Sequence, residues 1–228
     1  MKQLTLGVRL RANAVFASFS PGLNAELLAA LHGVDRNPIW LWGNGGCGKT
    51  HLLQAVCAAA GAAAAYFPLG RSFALPPQAL SGFENCRVLC VDDVDAVAGD
   101  LAWEQALFRL FNEASELHTR VIFAARSAPR NIGWRLEDWR SRAAACIVYQ
   151  VRDLDETGRA QALRLRAAQR GLQLPPETLD YLLKRMPRDL RSLFDILDEL
   201  DEASLVAQRR LTIPFIRDEL EKHARTKP

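Results

Sequence analysis

The sequence predicts an α/β fold in which a five-stranded parallel sheet lies between helices and a small α-helical lid follows. Three observations support this prediction. Short apolar runs recur along the first two thirds of the chain, the segments between them are long enough for helices, and only helical periodicity comes after them. Strands that alternate with helical segments are typical of a parallel sheet.

The predicted strands are apolar throughout rather than alternating, which is typical of a sheet covered on both faces. They cover residues 39–42, 64–67, 88–91, 121–125 and 147–151. A longer apolar run, residues 52–70, reaches the length of a membrane span. Because it is rich in alanine and interrupted by Gly61 and Pro68, we interpret it as a helix, a turn and a buried strand.

After residue 151 the apolar positions recur three or four residues apart, which is the spacing of one face of an α-helix. Four lid helices are predicted from Ala160, Leu163 and Ala167, from Leu179, Leu182, Leu183 and Met186, from Leu190, Leu193, Phe194 and Leu197, and from Ile213, Ile216 and Leu220. Thr212 is the expected N-cap of the fourth helix. We expect an N-terminal peptide at 1–10, the α/β domain at 11–152 and the lid at 153–228.

Composition and charge are those of an ordinary globular protein, with 49% apolar and 24% charged residues. The 29 basic and 26 acidic residues give a net charge of +3, which is too small for strong non-specific binding to nucleic acid. The five cysteines lack the spacing of zinc ligands and indicate free thiols in a reducing cytosol. No secretory signal opens the chain, so a cytoplasmic protein without membrane association is expected.

Residues 43–50 match the phosphate-binding pattern G-x-x-x-x-G-K-[ST] at every fixed position, directly after a predicted strand and before an apolar helix. Glycines let backbone N–H groups point at phosphate oxygens, and the following helix adds its positive end. Lys49 is expected to reach the β and γ phosphates, and Thr50 to bind Mg²⁺. The expected nucleotide-binding residues are Gly43, Asn44, Gly45, Gly46, Cys47, Gly48, Lys49, Thr50 and His51. A turn that binds nothing would not need lysine followed by threonine.

Two carboxylates, Asp92 and Asp93, end the third predicted strand. Asp92 is placed to hold Mg²⁺, through water, and Asp93 to orient or activate an attacking water. A capped turn would look similar. The pair follows the phosphate loop by about forty residues, however, which favours a magnesium site.

Together these motifs resemble the DnaA/Hda family of AAA+ P-loop proteins over nearly the whole chain. Residues 16–24 look like the family segment that borders the adenine, residues 135–142 resemble the segment with its arginine finger, and residues 186–191 look like the start of its third lid helix. The resemblance implies Arg142 as the finger, Arg188 as the sensor 2 arginine, and ADP or ATP with Mg²⁺ as cofactors. On the residues alone, both arginines are also consistent with solvated surface charges.

The resemblance also implies two partners, the DnaA initiator and the sliding clamp (beta subunit) of DNA polymerase III. Residues 3–7 are similar to the family's clamp-binding peptide, with Gln3 hydrogen-bonded in a pocket and Leu4 and Leu6 as apolar anchors. Gly7 departs from that pattern, and a frayed terminus is the alternative. No independent DNA-binding domain is expected, because the chain ends one helix past the predicted lid bundle. Self-association into a homo-oligomer stays open.

The sequence departs from the family after the fourth predicted strand, where Arg126 stands three positions before Pro129 in place of the sensor 1 aspartate or similar polar residue. Ser127 is the alternative sensor 1. We therefore expect weak or no intrinsic ATPase activity and a protein that stimulates ATP hydrolysis by DnaA.

Another function fits the same motifs, that of an AAA+ helicase loader or initiator-like ATPase acting on single-stranded DNA. It requires a basic groove with aromatic side chains, for which Trp103, Trp134 and Trp139 are the candidates, although core packing is the commoner use of tryptophan. A small-molecule P-loop kinase fits the helical C-terminal bundle poorly.

Overall fold

The first structural unit, which ends at Asp153, is built on a five-stranded parallel sheet. The structure is a computed structural model and describes residues 14–71, 75–186, 189–207 and 209–226. The strands are β1 Ile39–Trp42, β2 Ala64–Pro68, β3 Val88–Asp92, β4 Arg120–Ala125 and β5 Ile147–Gln150. All neighbouring strands run parallel, in the order β2-β3-β4-β1-β5. The prediction of five parallel strands is confirmed, with each strand end within one residue of its predicted position.

The described part of this unit contains the α-helices α1 Ala25–His32, α2 Lys49–Ala60, α3 Leu101–Glu116 and α4 Glu137–Ala144. The long apolar run resolves into α2, a short 3-10 turn and β2, as predicted. Within the part of the chain that the structure describes, no helix combines the length and apolar character needed to cross a membrane.

The sheet separates two hydrophobic clusters, because successive side chains of a strand point to opposite faces. In β3, Leu89 and Val91 pack in a cluster with residues of α3 and α4, whereas Val88 and Cys90 pack in another with residues of α1 and α2. Every residue of β3 is buried. Coverage on both faces explains why the strands are apolar throughout rather than alternating.

The second unit, Leu154–Pro228, is α-helical. Its helices are α5 Glu156–Gln169, α6 Pro176–Arg185, α7 Leu190–Ala207 and α8 Ile213–Thr226, so the four predicted lid helices are confirmed. The side chain of Asp155 caps α5 by accepting a hydrogen bond from the Gly158 N–H at 2.7 Å. Apolar positions that the periodicity predicted, among them Leu163, Leu193 and Ile216, are buried in the unit's own core.

Candidate nucleotide-binding site

The phosphate-binding loop connects the end of β1 to the start of α2 at Lys49. Gly46 and Gly48 have positive φ angles of 81° and 102°, which L side chains rarely adopt. A Cβ atom at Gly48 would also lie 2.7 Å from Cε2 of Phe19. Glycine at this position is therefore required both by the backbone conformation and by the close approach of an aromatic ring.

The ammonium group of Lys49 is turned onto the loop itself. Its Nζ donates hydrogen bonds to the backbone carbonyl oxygens of Gly43 at 2.7 Å and Asn44 at 2.8 Å, and the residue is 8% exposed. Both acceptors are neutral, so they do not neutralise the charge of Lys49. A polyphosphate in the loop would supply the countercharge that these carbonyls lack.

The structure brings Thr50 and Asp92 into contact, as the predicted magnesium site requires. The Thr50 hydroxyl donates a hydrogen bond to Oδ2 of Asp92 at 2.6 Å. The same oxygen accepts a hydrogen bond from the Tyr66 hydroxyl at 2.8 Å, and Oδ1 accepts one from the Asp93 N–H at 3.0 Å. Burial, with the negative charge of Asp92, raises the pKa of Tyr66, so this phenol stays protonated and remains a donor. Asp92 is therefore buried, and both of its carboxylate oxygens accept hydrogen bonds from neighbouring groups.

These oxygens fit Mg²⁺, which prefers hard oxygen ligands and keeps several water or phosphate ligands. Thr50 and Asp92 are the residues that would hold it. Among the residues that the structure describes, no cluster of three or more His, Cys, Asp or Glu side chains could hold a metal ion. A bound Mg²⁺ would therefore take its other ligands from phosphate oxygens and water, and it would supply charge neutralisation at the phosphates.

Asp93, the candidate for orienting water, is half-buried beside Asp92 and has a positive φ of 54°. Burial raises the pKa of its carboxyl, and the negative charges of Asp92 and Asp95 raise it further. The positive charges of Lys49 and Arg126 oppose this shift. Arg126, at the position predicted for sensor 1, therefore acts electrostatically on the Asp93 carboxyl.

The segment before α1 lies against the start of α2. Oγ of Ser18 is 3.1 Å from Nε2 of His51, and the same nitrogen is 3.0 Å from the carbonyl oxygen of Val15. The rings of Phe19 and His51 have centroids 5.8 Å apart. The structure thus groups His51 with the segment that the family resemblance places beside the adenine.

Two asparagines attach this region to the end of the first unit. The buried Asn24 side chain accepts a hydrogen bond from the Arg152 N–H at 2.8 Å and donates one to its carbonyl oxygen at 3.1 Å. In the phosphate loop, Nδ2 of Asn44 donates to Oδ2 of Asp153 at 2.7 Å. Asn24 therefore holds Arg152 and Asn44 holds Asp153, the last two residues of the first unit.

Arg142 lies in the last turn of α4 and is exposed. Its guanidinium carbon is 6.0 Å and 5.9 Å from the ring centroids of Phe108 and Phe111 on α3, within the range of a cation–π contact. Arg140, on the same helix, is instead ion-paired with Glu137. Because α4 and α2 cover opposite faces of the sheet, Arg142 is not grouped with the residues of the phosphate loop.

Four of the predicted site residues lie outside the part of the chain that the structure describes. They are Arg188 and the peptide residues Gln3, Leu4 and Leu6.

The three tryptophans considered for base stacking are buried, with exposed fractions of 8% for Trp103, 7% for Trp134 and 0% for Trp139. They pack in the core beneath α3 and α4, so their rings are not accessible to nucleic acid bases.

The loop, the paired Thr50 and Asp92, the strand order and the helical second unit define an AAA+ protein of the P-loop class. Residues 155–220 match the family model described as Hda, lid domain. This match and the fold together confirm the predicted relationship to the DnaA/Hda family of AAA+ proteins.

Solved structures show the same fold. Domain III of the replication initiation protein DnaA from Thermotoga maritima has 22% sequence identity and a TM-score of 0.79, and the match covers 94% of this chain and 98% of that chain. AMPPCP-bound DnaA from Aquifex aeolicus has 23% identity and a TM-score of 0.67, covering 84% and 66%. The Holliday junction branch migration motor RuvB from Thermotoga maritima has 15% identity and a TM-score of 0.65, covering 86% and 65%.

Proposed function

We propose that this chain is a cytoplasmic, adenine-nucleotide-binding regulator of chromosomal replication initiation. Acting with the DNA-loaded sliding clamp, it promotes hydrolysis of the ATP bound to DnaA and so inactivates the initiator. The observation that supports this proposal most directly is the exposed Arg142 guanidinium at the end of α4, which packs on aromatic rings and forms no ion pair with the residues that the structure describes. A guanidinium supplied to a neighbour's γ-phosphate accelerates hydrolysis by about 10³- to 10⁵-fold.

The chain's own nucleotide, ADP or ATP, binds between the loop and the segment before α1. Lys49 holds the phosphates, Thr50 and Asp92 hold Mg²⁺, and Asp93 orients water. The AMPPCP-bound DnaA of Aquifex aeolicus supports an adenine nucleotide. We propose weak intrinsic hydrolysis, because Arg126 stands where a sensor 1 acid or similar polar residue would, with Ser127 as the alternative, and Arg188 acts as sensor 2.

The N-terminal peptide tethers the regulator to the clamp through Gln3, Leu4 and Leu6. Tethering both proteins to one DNA raises their effective concentration and needs no strong contact between them. Capture by immobilised clamp tests this step: the chain with Gln3→Ala and Leu4→Ala is expected to lose capture. Undiminished capture would contradict the tether, and capture of the chain by a replicative helicase instead would favour a helicase loader.

The proposed activity is tested by single-turnover hydrolysis of ATP bound to DnaA, with clamp loaded on DNA. We expect Arg142→Ala to lower the stimulated rate by about 10³-fold or to the unstimulated rate. Arg140→Ala is the matched control, because it removes an exposed arginine two positions away that is already paired with Glu137. Full stimulation by the Arg142→Ala chain would refute the assignment of the arginine finger.

A further inference from the structure

A buried carboxylate on α3 binds the main chain at the start of α4. Glu104 is fully buried, with an exposed fraction of 0%. Its Oε1 accepts a hydrogen bond from the Gly99 N–H at 2.7 Å, and its Oε2 accepts hydrogen bonds from the N–H groups of Arg135 at 2.8 Å and Leu136 at 2.6 Å. The charge is thus satisfied by three backbone donors, two of them on the residues that precede α4.

Helix α4 has no cap of its own. Its N-cap residue is Leu136, which has an apolar side chain and makes no side-chain cap hydrogen bond. Helices usually begin at a serine, threonine, aspartate or asparagine that holds the first turn. In α4, the position of the first residues is fixed from outside by Glu104, at a separation of 31 and 32 positions in sequence.

The contact acts on the helix that carries Arg142. Helix α4 has eight residues, and Arg142 lies in its last turn. The buried Trp139 and Ala143 fix which face of α4 meets the core, whereas hydrogen bonds to Arg135 and Leu136 fix where the helix begins. A shift at the start of so short a helix moves the backbone of Arg142 with it, and therefore the point from which the guanidinium extends.

Packing alone would not require a carboxylate at this place. A buried charge costs free energy that an apolar side chain of similar size would not. The carboxylate instead fixes the position of the backbone, since its two oxygens hold three N–H donors at defined distances. A reacting group displaced by about 1 Å can lose about 10²-fold in rate, which makes such directional control relevant to an arginine finger.

We propose that Glu104 is a positioning residue that sets the start of α4 and, through it, the place of the Arg142 guanidinium. This inference rests on the proposed function, because the rate it affects is the stimulated hydrolysis of ATP bound to DnaA. Glu104→Gln removes the charge and turns an N–H donor toward backbone donors. At least one of the three hydrogen bonds is then lost while the volume of the side chain is kept.

The test compares Glu104→Gln with wild type in single-turnover hydrolysis at saturating regulator. We expect a rate at least about 10-fold lower, with the half-saturating concentration and the affinity for the chain's own ADP changed less than about 2-fold, as independent sites allow. A general loss of folding would move all three quantities. Glu113→Gln, an exposed substitution on the same helix, is the matched control and is expected to behave as wild type.

The double variant of Glu104→Gln with Arg142→Ala separates positioning from other effects. If Glu104 acts through Arg142, adding Glu104→Gln to Arg142→Ala causes no further loss of the hydrolysis rate. A wild-type rate for Glu104→Gln alongside an inactive Arg142→Ala would overturn the positioning role only. A wild-type rate for Arg142→Ala would overturn the proposed function itself.

Hydrogen exchange of the wild-type chain keeps the inference testable if Glu104→Gln does not fold. The amides of Arg135 and Leu136 precede the helix and are expected to exchange as slowly as amides within α3, because the buried carboxylate holds them. Exchange at the rate of open loop amides would show that Glu104 does not hold the start of α4, and would overturn the inference.

Discussion

Thr50 and Asp92, 42 positions apart in sequence, are joined by a hydrogen bond of 2.6 Å from the hydroxyl to Oδ2. One residue follows the phosphate loop and the other ends β3. Because parallel strands bring their carboxyl ends to one edge of the sheet, the two motifs meet there. The contact joins two hard oxygen ligands at the place where Mg²⁺ is proposed to bind.

Removing the Thr50 hydroxyl is expected to abolish the effect of Mg²⁺ on nucleotide binding. Thr50→Val keeps the shape of the side chain but removes one oxygen ligand. Titration of ADP and ATP in Mg²⁺ and in chelator is expected to show a gain of about tenfold or more for wild type and little gain for the variant. Thr50→Ser keeps the oxygen and serves as the control. An equal gain in Thr50→Val would show that Thr50 is not a ligand.

Replacing Gly48 with alanine is expected to destabilise the fold and to obstruct the phosphate-binding loop. The positive φ of 102° costs about 1–2 kcal/mol for an L residue, and the new Cβ would meet Phe19 at 2.7 Å. Gly82→Ala isolates the first effect, because Gly82 has a φ of 95° and, apart from its chain neighbours, no described atom lies within 4 Å of the position that its Cβ would take. Urea unfolding is expected to show a larger loss for Gly48→Ala. Equal losses would mean that the contact with Phe19 is not restrictive.

The Cys146 thiol is expected to resist alkylation in the folded chain. Burial raises its pKa to about 12 from an ordinary value of 9.0, so little reactive thiolate forms at pH 8. We expect labelling at least about 100-fold slower than in denaturant, and faster as pH rises. Because the pKa is higher in the folded state, this group favours folding less as pH rises from the unfolded pKa toward 12. Rapid native labelling, mapped by mass spectrometry, would contradict the burial of Cys146.

The sheet could be predicted from the sequence because burial on both faces leaves a local trace. Each strand is a continuous apolar run, and each lid helix carries an apolar face that is visible without knowledge of its partners. The phosphate loop is also local, since its glycines, Lys49 and Thr50 follow one another along the chain.

The contacts that sequence reasoning missed are those between distant residues. Tyr66 reaches Asp92 across 26 positions, Asn24 reaches Arg152 across 128, and Glu104 reaches Leu136 across 32. A tyrosine or glutamate in these places has no local pattern that distinguishes a buried polar contact from an exposed side chain. For Tyr66, the one indication was a polar group within an apolar strand, where a buried hydroxyl needs a hydrogen-bond partner.

The measurement that tests the account most directly is calorimetric titration of the purified chain with ADP and ATP. Lys49→Ala removes the ammonium that lies on the loop, and Lys184→Ala removes an exposed lysine of the lid as the control. We predict saturable one-site binding by wild type and by Lys184→Ala, with affinity lower by at least about 100-fold in Lys49→Ala. Absence of binding by wild type, or equal affinity in Lys49→Ala, would contradict a nucleotide cradle at residues 43–50.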